Sequence, residues 1–240
     1  MVFLRPTNMA YPAIWRRFTV RRDGITTLLR IQDLTEDLRG AALALMEKYF
    51  MSDEPPCKFI GIHNHPRAVA ELKSLWNKSV KDNLSLVCVK DNDDSDPTVV
   101  GVNVLTVISK ADKEEVFQSD DKVWSMLFGA VDLVARSVNI FEKYDVDKYL
   151  TAYGLVVNPE WRGLNIGKEL LETRIPLCRA IGVKVTATVF TAGASQAVAK
   201  KAGFEVLFEI TYEELAKKGF VFPGIEKDTK SSKLMALMID

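Results

Sequence analysis

The chain predicts a mixed α/β protein in which one sheet is flanked by helices. Runs of β-type residues at 25–31, 84–90, 99–109, 153–157, 183–190, 204–212 and 234–239 are interleaved with stretches whose apolar residues recur at helical spacing. Some runs are joined by short turns, as antiparallel hairpins are, and others by whole helices, as parallel crossovers are. A composition of 48% hydrophobic and 27% charged residues over 240 positions supplies a core large enough for such a sheet.

Composition also sets bounds on function. Lys+Arg and Asp+Glu are equal at 32 each, a balance that argues against nucleic acid or an anionic membrane as main partner. Cys57, Cys88 and Cys178 are odd in number and widely spaced, which fits a reducing compartment better than a disulfide framework. No apolar run approaches transmembrane length, and Arg5, Pro6 and Asn8 stand where a signal peptide needs an apolar centre. A cytosolic protein is expected, with a monomer as the default. No repeat, low-complexity tract or linker interrupts residues 25–240, so these form one domain. Residues 1–24, mixed and basic (Arg16, Arg17, Arg21, Arg22), read as a lead-in to it.

Taken in order, residues 25–31 form the first strand, and Thr35 caps a helix carrying Leu38, Ala41, Ala42, Leu45, Met46, Tyr49 and Phe50. Pro55-Pro56 ends that region and leaves Asp53-Glu54 at its exit. A second helix over 66–80 presents Val69, Leu72 and Leu75-Trp76. The acidic stretch 91–97 between two strands lacks the sixth-position glycine and twelfth-position glutamate of a calcium loop, and reads as a solvated hairpin turn. Ser119 or Asp120 caps a helix with Val123, Trp124, Leu127, Ala130, Val131 and Val134. Further on, Ile166, Leu170, Leu171 and Ile175 form a buried stripe, within which Pro176 is expected to kink or shorten the helix. A short helix over 195–202 closes at Gly203.

The stretch with most chemical content is 153–167, Y-G-L-V-V-N-P-E-W-R-G-L-N-I-G. A β-type run ends at Asn158-Pro159, because Pro brings no N–H to a ladder. An Arg-Gly loop follows, and Gly167 opens an amphipathic helix. Strand, glycine-bearing loop and helix N-terminus bring free backbone N–H groups and the positive end of a helix dipole to one point, which suits a phosphate. No G-x-G-x-x-G is present, and Gly167-Lys168 lacks the upstream glycine of a P-loop.

This stretch resembles the acetyl-CoA loop of the GCN5-related N-acetyltransferases, Arg/Gln-x-x-Gly-x-Gly/Ala. Arg162, Gly167 and the preceding strand match, while Asn165 stands at the middle glycine. Asn tolerates a left-handed backbone best after Gly, so the loop is expected to keep its shape. Lys201-Ala202-Gly203-Phe204 is similar to the helix end and strand start beside the family's CoA site. Phe50-Met51-Ser52-Asp53-Glu54-Pro55 resembles the F-x-x-D-E-P segment of insect arylalkylamine N-acetyltransferases. The order of elements over 25–240 agrees with the acetyltransferase fold: a mostly antiparallel sheet with one splayed parallel strand pair, flanked by helices.

The resemblance implies acetyl-CoA as cosubstrate and a small primary amine of the dopamine, serotonin or tryptamine type as acceptor; no metal is expected, because the His63-x-His65 pair has no matching ligand set for zinc. Such an amine is mostly protonated near neutral pH, so transfer needs a base. The family's base is the glutamate of D-E-P, here Glu54, with Glu47 as the backup. Leu155, Val156 and Val157 would form the splayed strand, and the amide of Val156 or Val157 would meet the negative charge developing on the thioester oxygen. Arg162, Gly163, Leu164, Asn165, Ile166, Gly167 and Lys168 would hold the pyrophosphate, mainly through backbone amides. The position of the superfamily's tyrosine is Ala199. The two hydroxyl residues of the insect enzymes correspond to Thr191 and Ser195, which would meet the leaving thiolate; hydroxyls near a helix start are equally helix caps.

Three other readings stand beside this one. Cys57 could act as a nucleophile with His63 or His65 nearby, giving a covalent acyl-enzyme. The acceptor could be a polyamine, an amino acid or a protein lysine. The chain could also bind CoA without turnover. The acceptor's walls are expected in residues 57–76 and 217–233, where Phe220, Phe222 and Pro223 are candidates for an aryl pocket.

Overall fold

A computed structural model describes residues 5–91, 98–112 and 119–240. Among these residues eight strands form one sheet in the order β1-β2-β3-β4-β5-β6-β8-β7. The strands are β1 (Ile14–Arg22), β2 (Ile25–Asp33), β3 (Leu86–Lys90), β4 (Val99–Ser109), β5 (Lys148–Val157), β6 (Val185–Phe190), β7 (Glu205–Thr211) and β8 (Ser231–Met238). Every neighbouring pair is antiparallel except β5 and β6. That parallel pair is held at a single register position, Leu150↔Thr186, although β5 runs on to Val157 and β6 to Phe190. Beyond that point the strands part, and a wedge opens in the sheet.

Residues 14–22 are not a loose lead-in. They pair along their length with β2, turning through Asp23-Gly24, both at positive φ. Two of the arginines that made this run look irregular are held in ion pairs, Arg17 with Asp91 at 2.7 Å and Arg16 with Glu169 and Glu172 of the neighbouring helix. Val20 is buried in the core below, with Trp15 and Phe18 packed against it. The turn of 92–97 lies outside the described residues.

Helices α1 (Glu36–Leu45), α4 (Pro66–Ser79) and α5 (Lys122–Ala135) cover one face of the sheet. Their Leu38, Ala42, Trp76, Trp124, Leu127 and Val134 meet Val102, Val104, Val156, Val185 and Leu234. Thr35 occupies the N-cap of α1 with extended backbone but makes no side-chain cap bond. Asp121, not Ser119 or Asp120, caps α5 by accepting from Trp124 N at 2.8 Å. The stretch Lys122–Tyr144 has the length and hydropathy of a membrane span, an exception to the reading of the sequence. It is nevertheless broken after α5, and α6 (Ile140–Tyr144) starts afresh under the Asn139 cap.

Helix α7 (Ile166–Ile181) covers the opposite face with Ile166, Leu170, Leu177 and Cys178. Pro176 does not shorten it; the helix continues to Ile181 and ends on Gly182 at φ 65°. Helix α8 (Gly193–Lys201) follows β6, and Gly203 at φ 91° closes it as expected, with Phe204 N donating to Ala199 O at 3.0 Å. α9 (Tyr212–Lys217) follows β7 under a Thr211–Glu214 capping box.

Candidate active site

The loop at the mouth of the wedge has the shape its residues require. Asn165 is the N-cap of α7 in the left-handed region, φ 60° and ψ 10°, and Gly163 lies at φ 82°. The first bond at the start of α7 is Glu169 N to Asn165 O, so the amides of Ile166, Gly167 and Lys168 point out of the helix end. A Cβ on Gly163 would meet nothing within 4 Å, so the cradle is open on that side. Side-chain cations contribute less to it. Lys168 is paired with Glu172 at 2.5 Å. Arg162 donates through Nε to Val157 O at 3.0 Å and through Nη2 to Asp53 at 2.5 Å, while its own carbonyl accepts from Arg22. The loop therefore fits a pyrophosphate held by backbone amides, with Arg162 bracing it against the strand and against the residue next to Glu54.

The pairing of β5 with β4 decides which amides face the wedge. Asn158 N donates to Val100 O, and antiparallel alternation then turns Val156 toward β4 and Leu155 and Val157 away from it. A Cβ on Gly101 would stand 3.1 Å from Val156 O, which shows the same orientation. Val156 is thus removed as a wedge-facing donor. Val157 keeps that place, and Leu155 joins it. At the wedge's inner end Gly154, φ 144°, packs so closely that a Cβ would lie 2.4 Å from Met46 Cε. Met46 begins a π-helical segment, Met46–Phe50, which extends α1 toward α2 (Met51–Asp53).

That extension delivers Glu54. Its extended backbone (φ −67°, ψ 121°) ends α2 and makes it the N-cap of α3 (Pro55–Ile60), whose Cys57 N–H donates to its carboxylate at 2.7 Å. The other carboxylate oxygen accepts from Thr191 Oγ1 at 2.6 Å. Thr191 directly follows β6, so Glu54 stands at the C-terminal end of one wedge strand, while its neighbour Asp53 is tied to the loop after the other. The residue is half-buried with its carboxyl enclosed. Burial raises its pKa, and the bonds from Thr191 and Cys57 oppose that rise without cancelling it. Tyr212, which the sequence did not single out, donates to Thr191 O at 2.8 Å and fixes the segment from below.

The remaining expectations divide. Thr191 meets Glu54, whereas Ser195 donates to Ala192 O at 2.8 Å within its own helix turn. Neither is the helix cap; Ala192 holds that position. Glu47 is half-exposed and paired with Lys73 at 2.8 Å. Cys57 is buried, and burial together with the adjacent Glu54 carboxylate pushes its thiol well above the ordinary range, the opposite of what a nucleophile needs. His63 contacts Ser52 Oγ at 3.1 Å, and His65 is the N-cap of α4. Phe222 is buried edge-on against Tyr212, and Phe220 packs on Gly129 of α5, so this pair ties the 217–233 segment to the core and does not stand open as a pocket. That segment still borders the site, since Lys58 pairs with Asp228 at 2.8 Å and Phe59 lies against Gly224.

Comparison with known proteins agrees with this geometry. The acetyltransferase (GNAT) family description matches residues 63–204, more than half of the chain. A solved arylalkylamine N-acetyltransferase 7, described as putative, from the yellow fever mosquito is 37% identical with a TM-score of 0.92, over 99% of this chain and 100% of that one. Arylalkylamine N-acetyltransferase 2 from Aedes aegypti, at 22% identity, has a TM-score of 0.76 over 88% and 99%. A Drosophila melanogaster polyamine N-acetyltransferase that forms N-acetylagmatine, at 15% identity, has a TM-score of 0.70 over 88% and 100%. The last two show the fold. Acetyl-CoA is the acyl donor of the matched family. The chain belongs to the GNAT acetyltransferase family, in its insect arylalkylamine N-acetyltransferase-like branch.

Proposed function

We propose that this enzyme transfers acetyl from acetyl-CoA directly to the primary amine of a small arylalkylamine, with Glu54 as general base. The observation that carries this reading is the Glu54 carboxylate, enclosed at the wedge between β5 and β6 and held by Thr191 Oγ1 and Cys57 N. Acetyl-CoA supplies the acyl group and a thiolate leaving group. The loop 162–168 receives the pyrophosphate through its backbone amides. Glu54 takes a proton from the ammonium and so frees the nitrogen lone pair; the new C–N bond forms as the C–S bond breaks, and the second proton, acidic once the nitrogen is acylated, passes to the departing thiolate. The amide of Val157 or Leu155 donates to the thioester oxygen as its negative charge grows. Thr191 holds Glu54 in place, a different task from meeting the thiolate. The raised pKa suits a base, because a carboxylate closer in pKa to the working pH accepts a proton more readily.

Glu54→Gln tests this reading. Turnover of acetyl-CoA with tryptamine or dopamine, followed as free thiol, should fall by about 100-fold or more, with acetyl-CoA binding kept. Unchanged turnover removes Glu54 from the reaction. Saturable turnover of the unaltered enzyme with spermidine or a lysine peptide, and none with arylalkylamines, rejects the substrate class while keeping the chemistry.

A further inference from the structure

Arg174 is the least expected residue in the molecule. It lies on the buried face of α7 between Leu170 and Cys178 with no exposed surface. Buried arginines ordinarily have a carboxylate partner, and none of the hydrogen-bond partners of Arg174 is one. Its Nε donates to Asn103 Oδ1 on β4 at 2.9 Å, and Nη1 donates to Thr188 Oγ1 at 2.8 Å and Thr186 Oγ1 at 3.2 Å on β6. Asn103 in turn donates to Gly154 O on β5 at 2.8 Å. Phe204 lies beneath the guanidinium, its ring centroid 5.8 Å from Cζ. Burial draws the pKa of Arg174 down to about 9.

These contacts place the guanidinium across the inner end of the wedge. Thr186 is the one residue of β6 in register with β5, and Thr188 is two residues further along β6, beside the gap. The third nitrogen, Nη2, is buried and has no hydrogen-bond partner among the described residues. The planar fork sets Nη2 between Nε and Nη1. With Nε committed to the β4 side and Nη1 to β6, Nη2 is aimed between them, at the gap beside β5. A buried, charged donor left unpaired is costly, so a polar acceptor there has a place already prepared.

We propose that Arg174 Nη2 is a cosubstrate-binding donor that hydrogen-bonds a carbonyl oxygen of the acyl-pantetheine arm lodged between β5 and β6. This rests on the acetyl-CoA-dependent reading above. The arm carries two kinds of carbonyl, its amides and its thioester, and either is a neutral acceptor that a guanidinium N–H can serve. Arg174 would thereby both hold the wedge open from its floor and set the depth to which the arm enters.

Side-chain NMR of the full chain labelled with 15N-arginine, assigned through bonds from the backbone, tests the proposal without altering the residue. Addition of acetyl-CoA should shift the Arg174 Nη2 protons, whereas adenosine 3′,5′-bisphosphate, which lacks the arm, should leave them in place. A shift with both CoA and acetyl-CoA assigns the acceptor to a pantetheine amide, and a shift with acetyl-CoA alone assigns it to the thioester. If acetyl-CoA moves the backbone amides of residues 162–168 and leaves Nη2 unmoved, the proposal is overturned while the acetyl-CoA reading stands. If neither moves, both fail. Arg174→Lys should weaken acetyl-CoA binding about tenfold, the value of one hydrogen bond to a charged donor, and leave the bisphosphate's affinity unchanged. Equal weakening of both ligands points to a structural role only and also overturns it.

Discussion

Burial raises the affinity of the Glu54 carboxyl for its proton, while Thr191 Oγ1 and Cys57 N–H stabilise the ionised form. The balance has a readable consequence. A base must be deprotonated to work, so activity is lost as pH falls through the raised pKa, and the acid limb of the pH–rate profile should lie above the ordinary glutamate range. Thr191→Val keeps the shape of the residue and removes the donor to the charged form. The carboxyl pKa should then rise further, and the acid limb of kcat/KM should move up by about one pH unit, the equivalent of about 1.5 kcal/mol lost from a charge-assisted hydrogen bond. An unmoved limb would show that Thr191 does not act through Glu54. Glu54 was legible as a residue, because the D-E-P segment carried it. Its contacts were not: Thr191 is 137 positions away, and Tyr212 carries no sequence signal beyond being one aromatic among many.

At the scale of the element, the start of α7 depends on one backbone conformation. Asn165 at φ 60° turns the chain so that the amides of Ile166–Lys168 point outward. Asn165→Gly should therefore retain acetyl-CoA affinity, whereas Asn165→Val should lose it, since a β-branched residue pays about 1–2 kcal/mol to hold that conformation. Isothermal titration with acetyl-CoA separates the two, and equal affinities would mean that the loop keeps its shape by other means. The left-handed role of Asn165 and the Gly203 closure of α8 were both readable, because each depends on one residue's local backbone preference. The far end of α7 was not. Periodicity nominated Ile175 for the buried stripe, yet Arg174 is fully enclosed there, as are Thr173, Leu177 and Cys178. A charged residue spaced four from Leu170 and four from Cys178 was the available signal.

For the whole molecule, the N-terminal segment belongs to the folded unit. Asp33 at the end of β2 is fully buried and accepts from Arg5 Nη2 at 2.8 Å, Ala13 N at 2.7 Å and Trp15 Nε1 at 2.7 Å. Deleting residues 1–24 removes all three donors and leaves a buried carboxylate uncompensated, besides opening the edge of β2. The truncated chain should lose about 3 kcal/mol or more, a fall of roughly 6–12 °C in melting temperature for a chain of this size. Thermal melts followed by circular dichroism check this, and an unchanged midpoint would mean that β1 contributes no stability. The opposite sheet edge shows the same logic at the site. Phe220 and Phe222 close the 217–233 segment onto α5 and α9, which ties the neighbourhood of Thr191 to the core.

What the sequence determined by itself is local: β-runs, helical stripes, the Asn-Pro break, the left-handed Asn165 and the carboxylate at the exit of the first helix. Each follows from covalent geometry or from a periodicity within about one element. The tertiary structure decided what depends on strand order and register. It opened the wedge after Leu150↔Thr186, turned Leu155 and Val157 toward that wedge and Val156 away, and carried Thr191 to Glu54 and Arg174 to the wedge floor. It also recruited the basic N-terminus as β1. These choices rest on contacts between residues far apart in the chain, and their free energy is gained only when the whole sheet closes around one core.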